Sequence, residues 1–432
     1  MAGIVAVAEA YSNPGSFLTG WTSVPPIMHH HTMNAADRTA WVCKQARAIG
    51  FELCGVAAVS TAPPAPASAP LSSFDETFEE LAHLPEWLAR GYAGEMNYLR
   101  DPRRSDPRLV LDGARSLIVV ALNYNSPLPY STEWPLTHAD KSLRGWVSRY
   151  AWGDDYHQVL HEKLDALVAA IRAQFTETFE ARCYVDTGPI IERIAAKYAG
   201  LGWLAKNTCL INEEMGSWLF LGVIVTTLEL APSIPFGEPP APDLCGNCRL
   251  CLDACPTQAF PSPYVLDASK CISYLTIELR GAIPEELRPA MGRAVIGCDI
   301  CQDVCPWNRK APITQLALFQ PRSFVSTLGN GNEHEKNSDS LFAPQLEKLV
   351  SLTQKEFSEL FRDSAVKRAK WRGVVRNACI ALGNSNVARD SDAHRRIVGL
   401  LEHLADGIDP LIAEHARWAL ARLNNLSSSA SD

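Results

Sequence analysis

Residues 245–256 read CGNCRLCLDACP, and this stretch decides the fold of the central part of the chain. Its cysteines follow the spacing C-x2-C-x2-C-x3-C-P, in which the first three thiolates wrap around one [4Fe–4S] cubane and the fourth binds another. A second run, Cys298-x2-Cys301-x3-Cys305-Pro306, is one cysteine shorter, and Cys271 can supply the missing ligand. The sequence therefore predicts two [4Fe–4S] clusters.

Each cluster is expected to take thiolates from both runs, because the fourth cysteine of such a run serves the other cluster. A zinc site and unliganded core cysteines are the alternatives, but zinc ribbons rarely use this spacing twice. The predicted ligands are Cys245, Cys248, Cys251 and Cys305 for cluster one, and Cys255, Cys271, Cys298 and Cys301 for cluster two.

Composition points to a reducing compartment. The chain has 432 residues, 47% of them hydrophobic, which is enough for two or three packed domains. Of its 13 cysteines, the five outside the cluster segment are scattered in apolar contexts and suggest no disulfide framework. The sequence contains no apolar run near the ~20 residues that a membrane span requires, and the N-terminus lacks a basic region or twin arginines. We expect a cytoplasmic monomer without a membrane partner.

The order of predicted elements suggests three folded parts after a disordered extension at 1–33, which could also reflect a misplaced start codon. Strands and helices alternate to about residue 230, which predicts an α/β domain of mixed topology. Three amphipathic segments near the C-terminus predict a HEAT-like α-helical repeat: Trp371–Leu382, Ala393–Ala405 and Pro410–Leu423. The expected boundaries are 34–235 for the α/β (α+β) domain, 236–320 for a ferredoxin-like double-cluster domain and 345–426 for the helical repeat.

Asp186 is the candidate acid of the α/β domain. It lies in Tyr184–Pro189, where a short apolar strand leads into a Pro-started helix, so its carboxyl group lies at a strand end. In a pocket poor in water the pKa of this carboxyl would rise, and the protonated group could act as a general acid. A structural or helix-capping aspartate is the alternative.

Paired glycines and tryptophans in 200–208 and 216–222 suggest backbone lying close to a large flat ligand. A tight helix–strand turn would explain the same residues. No Rossmann or P-loop fingerprint indicates a nucleotide.

Taken in order, these motifs resemble one family, the epoxyqueuosine reductases, which complete the queuosine modification at the wobble base of certain transfer RNAs. The resemblance runs through nearly the whole chain after the N-terminal extension. It rests on Gly94–Leu99, Arg149–His157, Val185–Pro189, Lys206–Thr208, both cysteine runs and the C-terminal helices.

The resemblance implies base-off cob(II)alamin held between the α/β and cluster domains, with electrons passing from the clusters to cobalamin and Asp186 as the proton donor. The chain contains no Asp-x-His-x-x-Gly motif for a histidine on cobalt, which is consistent with base-off binding. Ser148 departs from the family pattern, because some relatives carry a cysteine there. The implied cobalamin contacts are Arg104, Ser148, Asp186, Leu210, Leu221, Cys298 and Asp299.

A basic strip precedes the helical repeat, although the net charge is −8. Its residues lie within ten positions that contain no acid, and a solvated helix face is the alternative reading. With the resemblance, the strip is expected to contact transfer RNA phosphates while the target nucleotide enters the pocket. Its members are Lys367, Arg368, Lys370, Arg372 and Arg376.

The resemblance also implies a separate electron donor, such as a flavodoxin or ferredoxin. Two other functions stay open from the residues. A reductive dehalogenase-like enzyme also combines cobalamin with two clusters, but it would normally carry an export signal and lack the helical repeat. A non-catalytic electron carrier would not need so long a segment before its first cluster ligand.

Overall fold

The computed structural model describes residues 33–60, 78–134, 143–235, 237–323 and 340–425. The predicted N-terminal extension, apart from Met33, lies outside them. The described chain has a mixed α/β architecture, which confirms the predicted class.

Eight strands form one main sheet and two small ones. The main sheet has four antiparallel strands in the order β1-β2-β7-β4, while β5 pairs with β6 and β3 pairs in parallel with β8. The strands are β1 (Leu53–Ala58), β2 (Ser116–Asn123), β3 (Trp146–Val147), β4 (Ala181–Tyr184), β5 (Trp203–Leu204), β6 (Leu210–Ile211), β7 (Leu219–Thr226) and β8 (Ala294–Ile296).

Helices cover both faces of the main sheet and make up the C-terminal part. The helices are α1 (Ala35–Ile49), α2 (Leu84–Ala89), α3 (Tyr156–Gln174), α4 (Glu192–Tyr198), α5 (Leu250–Asp253), α6 (Ile272–Ile277), α7 (Ile300–Asp303), α8 (Leu346–Val350), α9 (Gln354–Leu360), α10 (Lys370–Gly383), α11 (Asp392–Ala405) and α12 (Pro410–Asn425).

Strand β2 is buried along its entire length because helices cover both faces of the sheet. Side chains alternate between faces along a strand. Ile118, Val120 and Leu122 pack in the core that contains residues of α1 and α3. Leu117, Val119 and Ala121 pack in the core with α4. Full burial of each larger aliphatic side chain contributes about 1.5–3 kcal/mol relative to exposure.

The close contact between β1 and the end of α4 requires a glycine. A Cβ atom placed on Gly55 would lie 2.0 Å from the carbonyl oxygen of Ala199. Any side chain at this position would push α4 away from the sheet. The position of Glu192, the first residue of α4, depends on this contact.

The cluster segment is joined to the α/β part by the parallel pair β3–β8. Trp146 pairs with Ala294 and Val147 with Ile296 across the two segments. A single apolar core continues from Val42 on α1 through these strands to Leu423 on α12.

The three predicted C-terminal helices are present as α10, α11 and α12, within one or two residues of their expected ends. Helix α10 packs against α12, and four small residues of these two helices are fully buried: Ala378, Ala381, Ala416 and Ala419. Within the described ranges, no helix combines the length and apolar character needed to cross a bilayer.

Candidate active site

A cavity of about 280 Å³ lies where the end of the main sheet meets the cluster segment. The end of β4, the start of α3 and strand β7 supply one side, and the two cysteine-bearing segments supply the other. The lining side chains are Tyr124, Ser148, Tyr150, Tyr156, Asp186, Glu192, Arg193, Leu219, Phe220, Leu221, Ser273, Cys298 and Gln302.

Asp186 projects into this cavity from the loop that follows β4. Its backbone has a φ of 55°, in the left-handed region that a non-glycine residue seldom adopts. The Tyr156 hydroxyl donates a hydrogen bond of 2.8 Å to Oδ2 of Asp186. The side chain remains 67% exposed, because the cavity is open at this point. A strained backbone that aims a carboxyl group into a cavity is typical of functional sites.

The pKa of Asp186 differs from the expectation of a raised value. Enclosure by the cavity walls raises its pKa, but the His157 imidazolium nearby and the hydrogen bond from Tyr156 together lower it below the usual value. The high exposure of the side chain weakens the desolvation effect and supports the lowered direction. Asp186 is therefore a carboxylate at neutral pH, and the expectation of a neutral acid in this conformation was wrong.

His157 holds the proton that Asp186 lacks. Its Nδ1 lies 2.7 Å from Oδ1 of Asp155, the residue that caps α3, and its Nε2 lies 3.7 Å from Oδ2 of Asp186. Burial lowers the pKa of His157, but the two carboxylates outweigh it and raise the pKa to about 9. The imidazole is therefore protonated at neutral pH, between two carboxylates.

Glu192 brings a second carboxyl group to the cavity. Its Oε1 is buried and has no hydrogen-bond partner. Burial, followed by the negative charge of Asp186, raises the pKa of Glu192 to about 7. The two carboxyl groups of the cavity thus have pKa values displaced in opposite directions.

A stack of aromatic rings forms the apolar wall. The Phe220 ring lies 4.2 Å from Tyr124 and 4.3 Å from Tyr156, measured between centroids, and the latter pair is parallel within 1°. Burial and the neighbouring Asp186 charge raise the pKa of Tyr156 well above its usual value, so its hydroxyl stays a hydrogen-bond donor. Together with Leu219 and Leu221, this wall offers an apolar face to a ligand.

The residues expected to contact cobalamin do not all reach the cavity. Four of them line it: Ser148, Asp186, Leu221 and Cys298. Asp299 lies behind this wall, where it accepts hydrogen bonds from the Ser148 hydroxyl and, at 2.8 Å, from the backbone N–H of Arg149.

Arg104 and Leu210 lie away from the cavity wall. The buried guanidinium of Arg104 donates to the carbonyl oxygens of Tyr98 at 3.1 Å and Ile190 at 3.4 Å, and so ties down the loop that carries Asp186. Leu210 is buried in the core with α4.

The glycines of 200–208 and 216–222 make close contacts within the chain. A Cβ atom on Gly202 would lie 2.0 Å from the carbonyl oxygen of Ile211, and one on Gly216 would lie 2.3 Å from the Asn308 side chain. At these two positions the tight turn, and not a flat ligand, accounts for the glycine.

The eight cluster cysteines form two neighbouring sets. The negative charges of Cys305, Cys245 and Cys248, after burial, raise the pKa of Cys251 to about 11. In the other set, burial and then the charges of Cys271 and Cys255 raise the pKa of Cys298. A hydrogen bond with Cys209, burial, and the charges of Cys298 and Cys271 raise the pKa of Cys301. The exchange of ligands between the two runs stays a prediction.

Among the described side chains, no group of three or more His, Cys, Asp or Glu is arranged to hold one metal ion. A cubane cluster binds its thiolates at separate corners, farther apart than ligands that share one ion. Trp203 and Trp307 pack beside Cys245 and Cys305 and form an apolar wall at the first set.

The basic strip has mixed exposure. Lys367, Arg368, Lys370 and Arg372 are exposed, with Arg368 paired to Glu278 and Arg372 to Asp409. Arg368 and Lys367 lie close enough to the cavity to lower the pKa of Asp186 and Asp155, respectively, after the larger effects of burial and hydrogen bonding.

Arg376 was wrongly assigned to the strip. It is fully buried, and its guanidinium donates to the carbonyl oxygens of Leu275 at 2.7 Å, Leu279 at 3.0 Å and Gly281 at 2.6 Å. Arg372 and Arg376 are one turn apart on the same side of α10. Arg376 is buried because residues 275–281 cover the helix there, while Arg372, one turn earlier, is exposed and pairs with Asp409.

Comparison with known proteins identifies the family. Residues 244–308 match the family model of a 4Fe-4S double cluster binding domain, which confirms the prediction of two clusters. Residues 104–187 match the model described as epoxyqueuosine reductase QueG, DUF1730. The epoxyqueuosine reductase of Pseudomonas aeruginosa is 39% identical over 351 residues, which cover 80% of this chain and 88% of that protein. The chain belongs to the epoxyqueuosine reductase family.

Solved structures of epoxyqueuosine reductases share this fold. One, with an epoxyqueuosine-modified stem loop of tRNA-Tyr, has a TM-score of 0.72 and 28% identity, with 90% of this chain and 91% of that chain covered. The Bacillus subtilis enzyme has a TM-score of 0.66 and 26% identity, with 89% and 98% coverage. In that structure the loop of a catalytic aspartate is swung out of the active site.

Sequence reasoning gave no role to Tyr156, His157 or Glu192. The first two lie inside the Arg149–His157 motif that carried the family resemblance, and Glu192 follows Pro189 at the start of α4. No sequence motif marks these three residues individually, because their proposed roles depend on contacts with Asp186 that form only in the folded chain.

Proposed function

We propose that this chain reduces epoxyqueuosine to queuosine at the wobble position of transfer RNA. The observation that carries the proposal is that Asp186 and Cys298 line one cavity, with the Tyr156 hydroxyl and His157 in contact with the Asp186 carboxylate. A proton source and a cysteine of a predicted cluster thus lie at one cavity. Family membership supplies the substrate class.

The reaction balances with two electrons and two protons. Both carbon–oxygen bonds of the epoxide are broken, a carbon–carbon double bond forms, and the oxygen leaves as water. An alkoxide or hydroxide is a poor leaving group without protonation, so the site needs acids placed at that oxygen.

The first proton is proposed to come from the His157–Asp186 pair. At neutral pH the proton resides on His157, and Asp186 projects into the cavity from its strained loop. Transfer from Nε2 to the Asp186 carboxylate makes Asp186 the immediate donor to the substrate oxygen. Asp155 then stabilises the remaining imidazole through Nδ1.

The cavity walls fit the cofactor that the family resemblance implies. The aromatic stack at Phe220 and the side chain of Leu221 suit the apolar face of a corrin ring, and the lining contains no histidine that would bind cobalt. When bound, cobalamin would supply the electron transfer to carbon that amino-acid side chains cannot provide. Leu221, Ser148 and Cys298 would hold it, with Asp299 fixing the Ser148 hydroxyl.

The two cysteine sets are proposed to ligate the clusters as predicted. Cluster one takes the set that contains Cys305, and cluster two takes the set that contains Cys298. Because Cys298 lines the cavity, cluster two is the one that passes electrons to the reacting centre. Cluster one would receive them from a soluble donor of the flavodoxin or ferredoxin class.

The exposed part of the basic strip is proposed as the transfer RNA contact. Lys367 and Lys370 have no carboxylate partner among the described residues, whereas Arg368 and Arg372 are each paired with an acid. Lys367 lies near the cavity opening, since its charge acts on Asp155. Phosphates of a stem loop can bind there while the modified base enters the cavity.

The division into parts is also proposed as predicted. The α/β part is assigned to 34–235, the double-cluster part to 236–320 and a HEAT-like helical part to 345–426. The packing of α10 and α11 on α12 supports a repeat of this type. A chain with this chemistry would act in the cytoplasm, as a monomer.

The test is anaerobic turnover of epoxyqueuosine-containing transfer RNA by cluster-reconstituted protein with a chemical reductant, with and without cobalamin. The nucleoside is read by mass spectrometry. Cobalamin-dependent loss of one oxygen is expected. Absence of loss in protein with intact clusters and bound cobalamin would reject the proposed reaction.

A further inference from the structure

Glu192 is a half-buried acid that the proposed delivery of the first proton does not use. It lines the cavity beside Asp186, and its Oε1 is enclosed without any hydrogen-bond partner. An unpaired carboxylate oxygen in such a place costs free energy, whereas a protonated carboxyl group avoids burying the charge. Native structures seldom keep such an atom unless it serves a ligand or a reaction.

The electrostatic surroundings also favour the neutral form of Glu192. The titratable and charged groups that share its cavity are Tyr124, Tyr150, Tyr156, Asp186, Arg193 and Cys298, and Arg104 acts from behind the loop. Of these, ionised Asp186 raises the pKa of Glu192, and Arg104 and the backbone N–H groups of Glu192 and Asp186 lower it by less. Two nearby carboxyl groups with opposite pKa displacements commonly divide the roles of anion and acid.

The proposed reaction needs two protons, and the His157–Asp186 pair holds one. His157 carries a single transferable proton, and Asp186 is ionised. A second proton must reach the same oxygen before it leaves as water. Glu192 is the other carboxyl group in the cavity lining.

We propose that Glu192 is the second proton donor of the site: its neutral carboxyl group, on the first turn of α4, protonates the departing oxygen after Asp186 has protonated it once. The O–H bond of Glu192 breaks, an O–H bond of water forms, and a Glu192 carboxylate remains until solvent protonates it again. This inference rests on the proposed function.

Contacts at both ends of α4 hold Glu192 in place. The Arg104 guanidinium fixes the backbone at Ile190, two residues before Glu192. Gly55 allows the other end of α4 to approach β1. Helix α4 is thus anchored at both ends, and its first residue cannot withdraw from the cavity without breaking one of these contacts.

The first test reads protonation directly, without turnover. Infrared spectra of the cluster-loaded protein should show the carbonyl band of a buried carboxylic acid that titrates near pH 7. Burial also raises the pKa of Asp303 to about 7, so the signal of Glu192 is the part of this band that is lost in Glu192→Gln and kept in Asp186→Asn. Glu213→Gln, which changes an exposed glutamate, is the matched control and should leave the band unchanged. A wild-type protein without the band would overturn the proposal.

The second test follows single turnover of the modified transfer RNA across pH. The wild-type rate should fall as pH rises through about 7, as Glu192 loses its proton. The rate of Glu192→Gln should be lower by about 10²-fold or more, as expected for loss of a general acid. Its KM should be unchanged, and its rate should not depend on pH between pH 6 and about 8.

The outcomes separate this proposal from the function on which it rests. Wild-type turnover with a normal rate in Glu192→Gln would overturn the second-donor role alone. A wild-type protein that shows the carboxylic acid band but never reduces the modified transfer RNA would overturn the proposed function. Proton donation by Glu192 would then be overturned as well.

Discussion

Nε2 of His157 lies 3.7 Å from Oδ2 of Asp186, beyond a short hydrogen bond but within the reach of an ion pair. Catalytic contacts are often longer before the substrate binds and shorten in the complex. A small movement of the Asp186 loop toward α3 would therefore complete the path for the proton.

The first prediction concerns the alkaline side of the pH profile. Because the pKa of His157 is raised to about 9 from 6.5, its protonated form stabilises the fold fully below pH 6.5, and this contribution disappears as pH rises through about 9. Turnover should also decline through about pH 9. His157→Gln should remove that decline. It should also reduce the change in unfolding temperature between pH 6.5 and 9. A decline that persists in His157→Gln would assign it to another group.

The second prediction concerns Asp186. Asp186→Asn keeps the shape of the side chain but cannot pass a proton, so turnover should fall by about 10²–10⁴-fold. Iron content and cobalamin binding, followed by absorbance, should stay near wild type. Asp154→Asn, a change at a carboxylate paired with Arg322 outside the cavity lining, is the control. Turnover retained in Asp186→Asn would show that Asp186 is structural.

The third prediction tests the exchange of ligands between the cysteine runs. Cys251 and Cys305 belong to one set, whereas Cys251 and Cys255 belong to different sets. Cys251→Ser with Cys305→Ser should therefore remove one cluster, and Cys251→Ser with Cys255→Ser should impair both. Iron and sulfide content, with electron paramagnetic resonance of the reduced protein, gives the count. The reverse result would assign each run to its own cluster.

The fourth prediction concerns the exposed lysines. Lys367→Ala and Lys370→Ala should each weaken transfer RNA binding and lower the salt slope by about 1. Arg372→Ala should have a smaller effect, since Asp409 already neutralises that guanidinium. Reduction of a small free-base substrate should be spared. Lys355→Ala, on α9, is the control, and equal effects from all three lysines would argue against a localised strip.

The fifth prediction separates Arg376 from that strip. Arg376→Ala would leave the carbonyl oxygens of Leu275, Leu279 and Gly281 without their donor. A buried acceptor left without its donor costs about 1–3 kcal/mol. Thermal unfolding should occur at a markedly lower temperature, while the salt slope of transfer RNA binding in the folded protein should not change. A reduced slope would restore Arg376 to the binding surface.

Local patterns were sufficient for much of this molecule. The cysteine spacing predicted two clusters because short loops around a cubane require it. Helical periodicity predicted α10, α11 and α12, because each buries one apolar stripe. The short strand before Asp186 placed that carboxyl group at a strand end, which is where the structure has it.

Contacts between distant segments were beyond such patterns. The pKa of Asp186 depends on Tyr156 and His157, which approach it only because α3 begins next to the end of β4. The burial of Arg376 depends on carbonyl groups about a hundred residues earlier in the chain. Charge patterning alone cannot distinguish an arginine that faces solvent from one that caps buried carbonyl groups.

The parallel pairing of β3 with β8 limits how this protein can be rearranged. Trp146 and Val147 precede the cluster segment by about a hundred positions, yet they form a sheet with Ala294 and Ile296 inside it. A chimera that joined the catalytic part of one relative to the cluster part of another would have to match both strands and the side chains between them. Substitutions in the residues around the cavity and in the cluster segment are therefore expected to occur together among relatives.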